Sequence, residues 1–146
     1  MKKLWLVLTM AMGFAVSAQA QNAIAIDNLP TSVRAAFTKE FSPAEDMSWS
    51  STGSNYSATF TKNNSRNYVE FSADGKLVEH RVDLKQTDLP ATITSLISKE
   101  YASHTFEEAE KIVKNGVTTY EIELEGKPDY EIIFDAKGTV LERKVD

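Results

Sequence analysis

Apolar residues recur along this chain at two periods, and each period appears twice. Leu29, Val33, Ala36, Phe37 and Phe41 fall at i, i+4, i+7, i+8 and i+12, and Leu89, Ile93, Leu96, Ile97 and Tyr101 fall at the same offsets. Such a stripe predicts a helix of about three turns with one buried face. Asn28 and Asp88 stand where a capping side chain is expected, and Pro30 and Pro90 stand in the first turn, where a missing N–H costs nothing. A helix this short is marginal alone, so it must lie on something.

Strand patterns supply that support. Tyr56, Ala58 and Phe60 alternate with polar residues, and Tyr120, Ile122 and Leu124 alternate with Glu121, Glu123 and Glu125. Alternation of this kind predicts strands with one dry face and one wet face. "NYVEFSADGKLVEHRVD" and "DYEIIFDAKGTVLERKVD" follow, each a predicted hairpin turning at Gly75 or Gly138. "DMSWSS" and "EKIVKN" read more weakly as strands, turned into the next by Gly53 and Gly116.

Each half therefore reads as a helix followed by three or four antiparallel strands. The expected division is a leader at 1–20, a first repeat at 21–85 and a second at 86–146, joined by the short polar segment 83–88. Units of about sixty residues bury little surface alone, so the halves are expected to pack together. The predicted class is α+β: two tandem helix-plus-antiparallel-sheet repeats sharing one curved sheet, with both helices on one face.

The N-terminus changes the picture of where the chain works. "MKK" precedes the apolar run "LWLVLTMAMGFAV", which is short for a membrane span. "SAQA" then sets Ala18 and Ala20 at the spacing a signal peptidase needs, so cleavage is expected before Gln21. Loss of Lys2 and Lys3 takes the formal charge from −5 to −7. An acidic chain argues against nucleic acid and against anionic lipid surfaces. The chain has no cysteine, which removes thiol chemistry and cysteine-held metal and leaves the fold to its core. A periplasmic location in a Gram-negative cell is expected, with no membrane anchor after cleavage.

The order "LPTSVRAAFTKEF", a tyrosine-centred alternating strand, then "FSADGKLVE" resembles the PepSY-like family of secreted bacterial proteins, with its beta-lactamase-inhibitor-like fold. The likeness covers nearly all of the chain after the leader, twice over. It implies tandem helix-plus-sheet modules, export and no established catalytic residues. It does not imply inhibition of a lactamase, because fold likeness carries no activity.

Candidate chemistry is sparse. His80 lies on a predicted strand and His104 after the second helix, without the spacing of a zinc site. "SWSSTGS" is serine-rich but lacks a nucleophile elbow. Glu107, Glu108 and Glu110 cluster, and Glu121, Glu123 and Glu125 line a strand face that reads as solvated. No catalytic residue, metal or cofactor is expected.

The hairpins select a candidate surface. A two-residue turn at Asp74-Gly75 sets Phe71 opposite Val78, whereas a three-residue loop sets Phe71 opposite Leu77 and Phe134 opposite Val140. The three-residue loop is favoured, since Lys137-Gly138 is a poor two-residue turn. On that register Val78, Val82, Leu141 and Val145 are expected to point away from the helices. Tyr68, Glu70, His80, Glu121, Glu123, Ile133 and Arg143 join them on an apolar stripe rimmed by charge. The leading expectation is a non-catalytic module engaging a periplasmic or extracellular protein through this face. The alternative is a small-ligand carrier or enzyme with a pocket between helix and sheet, lined by rings such as Trp49, Tyr56, Phe60, Tyr101 and Tyr120. Self-association through an edge strand is the third mode.

Overall fold

A computed structural model describes residues 22–145; the expected leader and its cleavage site before Gln21 lie outside the described residues. The strands are β1 (Asn22–Ala23), β2 (Glu45–Thr52), β3 (Asn55–Lys62), β4 (Ser65–Ser72), β5 (Leu77–Asp83), β6 (Thr105–Lys114), β7 (Val117–Glu125), β8 (Tyr130–Asp135) and β9 (Val140–Val145). Helix α1 (Thr31–Phe41) precedes β2, and α2 (Ala91–Glu100) precedes β6. All nine strands form one antiparallel sheet in chain order, β1 to β9. The α+β class read from the sequence is the one observed.

The predicted stripes are the buried faces of the helices. Val33, Phe37 and Phe41 of α1 pack with Leu29, Trp49, Ala58, Phe60, Val69 and Phe71. Ile93 and Ile97 of α2 pack with Leu89, Tyr101, Ala109, Ile122, Leu124, Ile132 and Phe134. The strand register carries Val69 to His80 and then to Val113, which shares the β6 face of Ala109. Both helices therefore cover the same side of the sheet.

The helix starts differ from the sequence reading. Asn28 and Asp88 close 3-10 turns at Ile26–Asn28 and Gln86–Asp88, and Pro30 and Pro90 occupy the cap positions without a side-chain cap bond. The reason is the proline. Its fixed φ and extended ψ of 141° and 140° set the entry directly, and the asparagine and aspartate lie two residues too early to cap.

The three-residue hairpin loop is present in both halves. Ser72 N–H donates to Lys76 O at 3.0 Å, and Asp135 N–H donates to Thr139 O at 2.9 Å. Gly75 and Gly138 take φ of +85° and +86°. They also lie against the helix starts: a Cβ at Gly75 would stand 2.7 Å from Ser32 O, and one at Gly138 2.6 Å from Thr92 Oγ1. Phe71 opposes Leu77 and Phe134 opposes Val140, as the favoured register requires.

One further feature redirects the last strand of each half. Val78 and Leu141 are extra residues, so Glu70 opposes Glu79 and Ile133 opposes Glu142. Each bulge flips the faces beyond it. His80 and Val82 thus oppose Val69 and Asn67, and Arg143 and Val145 oppose Ile132 and Tyr130, all on the helix side. The expectation that these four residues point away from the helices is corrected accordingly.

The two halves also begin alike. Val82 and Asp83 oppose Lys111 and Glu110, and Leu84 N–H donates to Ala109 O at 2.8 Å. At the start of the chain Asn22 and Ala23 oppose Ser51 and Ser50, and Ile24 N–H donates to Trp49 O at 3.0 Å. Strand β1 thus occupies the position on β2 that the end of β5 occupies on β6.

Candidate functional site: the uncovered face of the sheet

Alternation along each strand places a second set of side chains opposite the helices, where no other element lies among the described residues. Three cross-strand rows organise this face. Glu70, Glu79, Lys114 and Val117 form the first, and Tyr68, Arg81, Ile112, Thr119 and Asp135 the second. Asp83, Glu110, Glu121, Ile133 and Glu142 form the third, with Glu108, Glu123, Glu131 and Lys144 beside it.

The first half of this face is closed by internal pairing. Glu79 is only 4% exposed. Arg81 Nε donates to it, and Lys114 Nζ stands 3.1 Å from its other oxygen. Burial alone would raise this carboxyl, but Arg81 and Lys114 outweigh it and hold Glu79 below the usual range. Tyr68 donates to Glu70 at 3.3 Å, and Asn55 donates to the other Glu70 oxygen at 2.6 Å. Burial, then the charges of Glu70 and Glu79, pushes the Tyr68 hydroxyl up to about 12.

The second half is richer in acid than in base. Glu110 opposes both Asp83 and Glu121, and Glu123 opposes both Glu108 and Glu131. Burial is the first cause that pushes Glu110 up to about 7; Arg81, 3.8 Å away, opposes the rise. Burial and then the charge of Glu108 push Glu123 up to about 7. Glu121 is raised by burial and by Glu131. Lys144 Nζ meets Glu131 at 2.5 Å at the far margin. Among the described residues no group of three or more metal-ligating side chains has the arrangement of a metal site.

Of the residues selected from sequence, Tyr68, Glu70, Glu121, Glu123 and Ile133 lie together on this face. Val78 and Leu141 are the bulge residues at its margins; Leu141 is 58% exposed. His80 and Arg143 are on the other side. His80 packs edge-on against Phe41 at 5.1 Å, with Nε2 3.0 Å from Asn67 Oδ1. The Arg143 guanidinium lies over the Tyr130 ring at 5.4 Å. Sequence reasoning left Arg81 and Lys114 off the face and read Glu110 only as part of a local acidic cluster with Glu107 and Glu108. The β5 bulge brings Glu79 and Arg81 round to this side, and the β5–β6 register sets Lys114 and Glu110 beside them.

Packed rings and aliphatic side chains lie between the helices and the sheet. Phe37 makes edge contacts at 5.0 Å with both Trp49 and Phe60. A groove of about 530 Å³ lies elsewhere, between residues 23–26 and Met47, Ser48 and Trp49 of β2. His104 Nε2 donates to Pro128 O at 3.0 Å, and Nδ1 lies 3.3 Å from Ser103 Oγ.

A family profile described as "Putative beta-lactamase-inhibitor-like, PepSY-like" matches residues 54–142. A BLIP-like protein of Bacteroides fragilis superposes with a TM-score of 0.67 at 16% identity, over 80% of this chain and 86% of its own. A DUF2874 family protein of Bacteroides ovatus gives 0.66 at 22% identity, over 82% and 89%. A Bacteroides eggerthii protein described as a "putative periplasmic" protein gives 0.67 at 23% identity, over 80% and 88%. At these identities the likeness is one of fold. No curated protein matches the chain.

Proposed function

The chain belongs to the PepSY-like, beta-lactamase-inhibitor-like family, and on that premise we propose that it is a non-catalytic periplasmic module that binds a protein through the uncovered face of its sheet. The observation that carries the reading is the face itself: a continuous charged and apolar surface, built across both halves, with no helix over it among the described residues. Its contact set is Tyr68, Glu70, Glu121, Glu123 and Ile133. Arg81 and Lys114 take the places first assigned to Arg143 and His80. Glu110 and Glu123 gain charge when a cationic group approaches, so a partner presenting lysine or arginine to this face fits its chemistry.

The periplasm is the expected setting from the leader, and one neighbour of the same fold, the Bacteroides eggerthii protein, is described in those terms. The test is affinity capture from the native periplasm. Retention by the unaltered protein and loss on the double change Glu121→Lys and Glu123→Lys, with the thermal midpoint kept, is the expected result. Equal retention by that variant refutes the assignment of the face.

A further inference from the structure

The joint between the two halves is itself a strand-edge interface, and among the described residues β9 presents the same edge without a partner. Strand β5 pairs with β4 on one side and with β6 on the other, whereas β9, its counterpart, pairs among the described strands with β8 only. Val140, Leu141 and Val145 of β9 are 40%, 58% and 58% exposed, and they are half of the large apolar residues left exposed among those described. At the opposite end of the sheet β1 already occupies the edge of β2.

We infer that β9 pairs antiparallel with β9 of a second copy, forming a two-fold dimer with one continuous sheet. The internal joint supplies the template. There Glu79 of β5 stands opposite Lys114 of β6, and their ion pair is 3.1 Å long. The counterpart of Glu79 is Glu142, the residue that follows the bulge of β9 and opposes Ile133 on the uncovered face. It has no lysine opposite it. Lys144 lies on the same face two residues on. A two-fold axis at Arg143 sets each Glu142 opposite Lys144 of the other copy, which repeats the Glu79–Lys114 arrangement twice. The same register brings Leu141 and Val145 of opposite copies together. Arg143 is turned onto its own Tyr130 on the helix side, away from the ion pairs.

A two-fold contact closes on itself, so it satisfies the edge without starting a fibre. The area of an edge-strand contact is small, so the dimer forms in the weak, concentration-dependent class.

Sedimentation velocity of the exported chain over rising concentration tests this. The expected result is a mass that rises to twice the monomer and stops. Glu142→Lys, which sets lysine opposite Lys144, should hold the chain monomeric; Lys144→Glu should do the same. An equimolar mixture of the two variants restores both ion pairs and should return the dimer. The Glu142 side chain is exposed and has no hydrogen-bond partner among the described residues, so its variant keeps the inference testable even if loss of the Lys144–Glu131 pair harms the other. A monomer at every concentration overturns the inference. So does a dimer that Glu142→Lys leaves intact, or an association that grows past two copies.

Discussion

Glu79 of β5 and Lys114 of β6 meet at 3.1 Å across the strand pair that joins the two halves. The pair is asymmetric: the lysine side chain is 60% exposed and the glutamate 5%. Lys114→Ala should therefore cost less than about 1 kcal/mol, as exposed partners do. Glu79→Ala leaves Nε of the half-buried Arg81 without its acceptor, with Glu110 3.8 Å from the other end of the guanidinium, and should cost about 1.5–3 kcal/mol, the range for hydrogen bonds to charged groups. Urea denaturation of the two variants gives both values; equal costs would show that Arg81 is not the principal partner.

The aromatic core makes a second prediction. Phe134 is fully buried, and Phe37 is 4% exposed and packs on Phe41, Trp49 and Phe60. Truncation of either to alanine should cost about 3–5 kcal/mol. A loss under about 1 kcal/mol, read from the same denaturation curves, would remove that residue from the core.

Hairpin loops and helix starts hold each other. Gly75→Ala meets both a φ of +85° and the Ser32 carbonyl 2.7 Å away, so it should cost more than the about 1 kcal/mol of a simple left-handed site. Gly116, at φ +79°, has nothing within 4 Å of an added Cβ, and the same change there should cost only the conformational part. The ordering of the two midpoints is the check.

The paired acids set a pH dependence opposite to ordinary acid denaturation. Glu110 and Glu123, pushed up from 4.5 to about 7, bind their protons more tightly in the folded chain. Their contribution is complete below about 4.5 and is lost as pH rises through about 7. Glu79, Asp74 and Asp135 are lowered, so their contribution is lost at acid pH instead. The thermal midpoint should rise from pH 8 to pH 5 and fall below about pH 4. Glu110→Gln with Glu123→Gln should raise the midpoint at pH 8 and flatten the upper slope. A midpoint that falls steadily from pH 8 to pH 5 contradicts the placement of these acids.

Much of this architecture was legible in the chain. The stripe Val33, Phe37, Phe41 and the alternation Tyr120, Ile122, Leu124 are local signals, and each reports a burial that a single element decides. Loop length was legible too, because Lys137-Gly138 suits a three-residue loop. The bulges were not. Leu77 and Val78 are both apolar, and nothing in "KLVEHRVD" marks which is extra. One unmarked residue moved His80, Val82, Arg143 and Val145 to the helix side and brought Glu79 and Arg81 to the other. The titrating acids were also hidden, since Glu108 and Glu123 are fifteen positions apart and become neighbours only through the β6–β7 register.

Photo-crosslinking in the intact periplasm tests the binding face most directly. A photoreactive residue is placed singly at Glu121, Glu131 or Thr119 on the uncovered face, and at Lys39 or Lys99 on the exposed sides of the helices. The account predicts that one partner protein is captured from the three sheet positions and from neither helix position. Capture from Lys39 or Lys99, with none from the sheet, would contradict it.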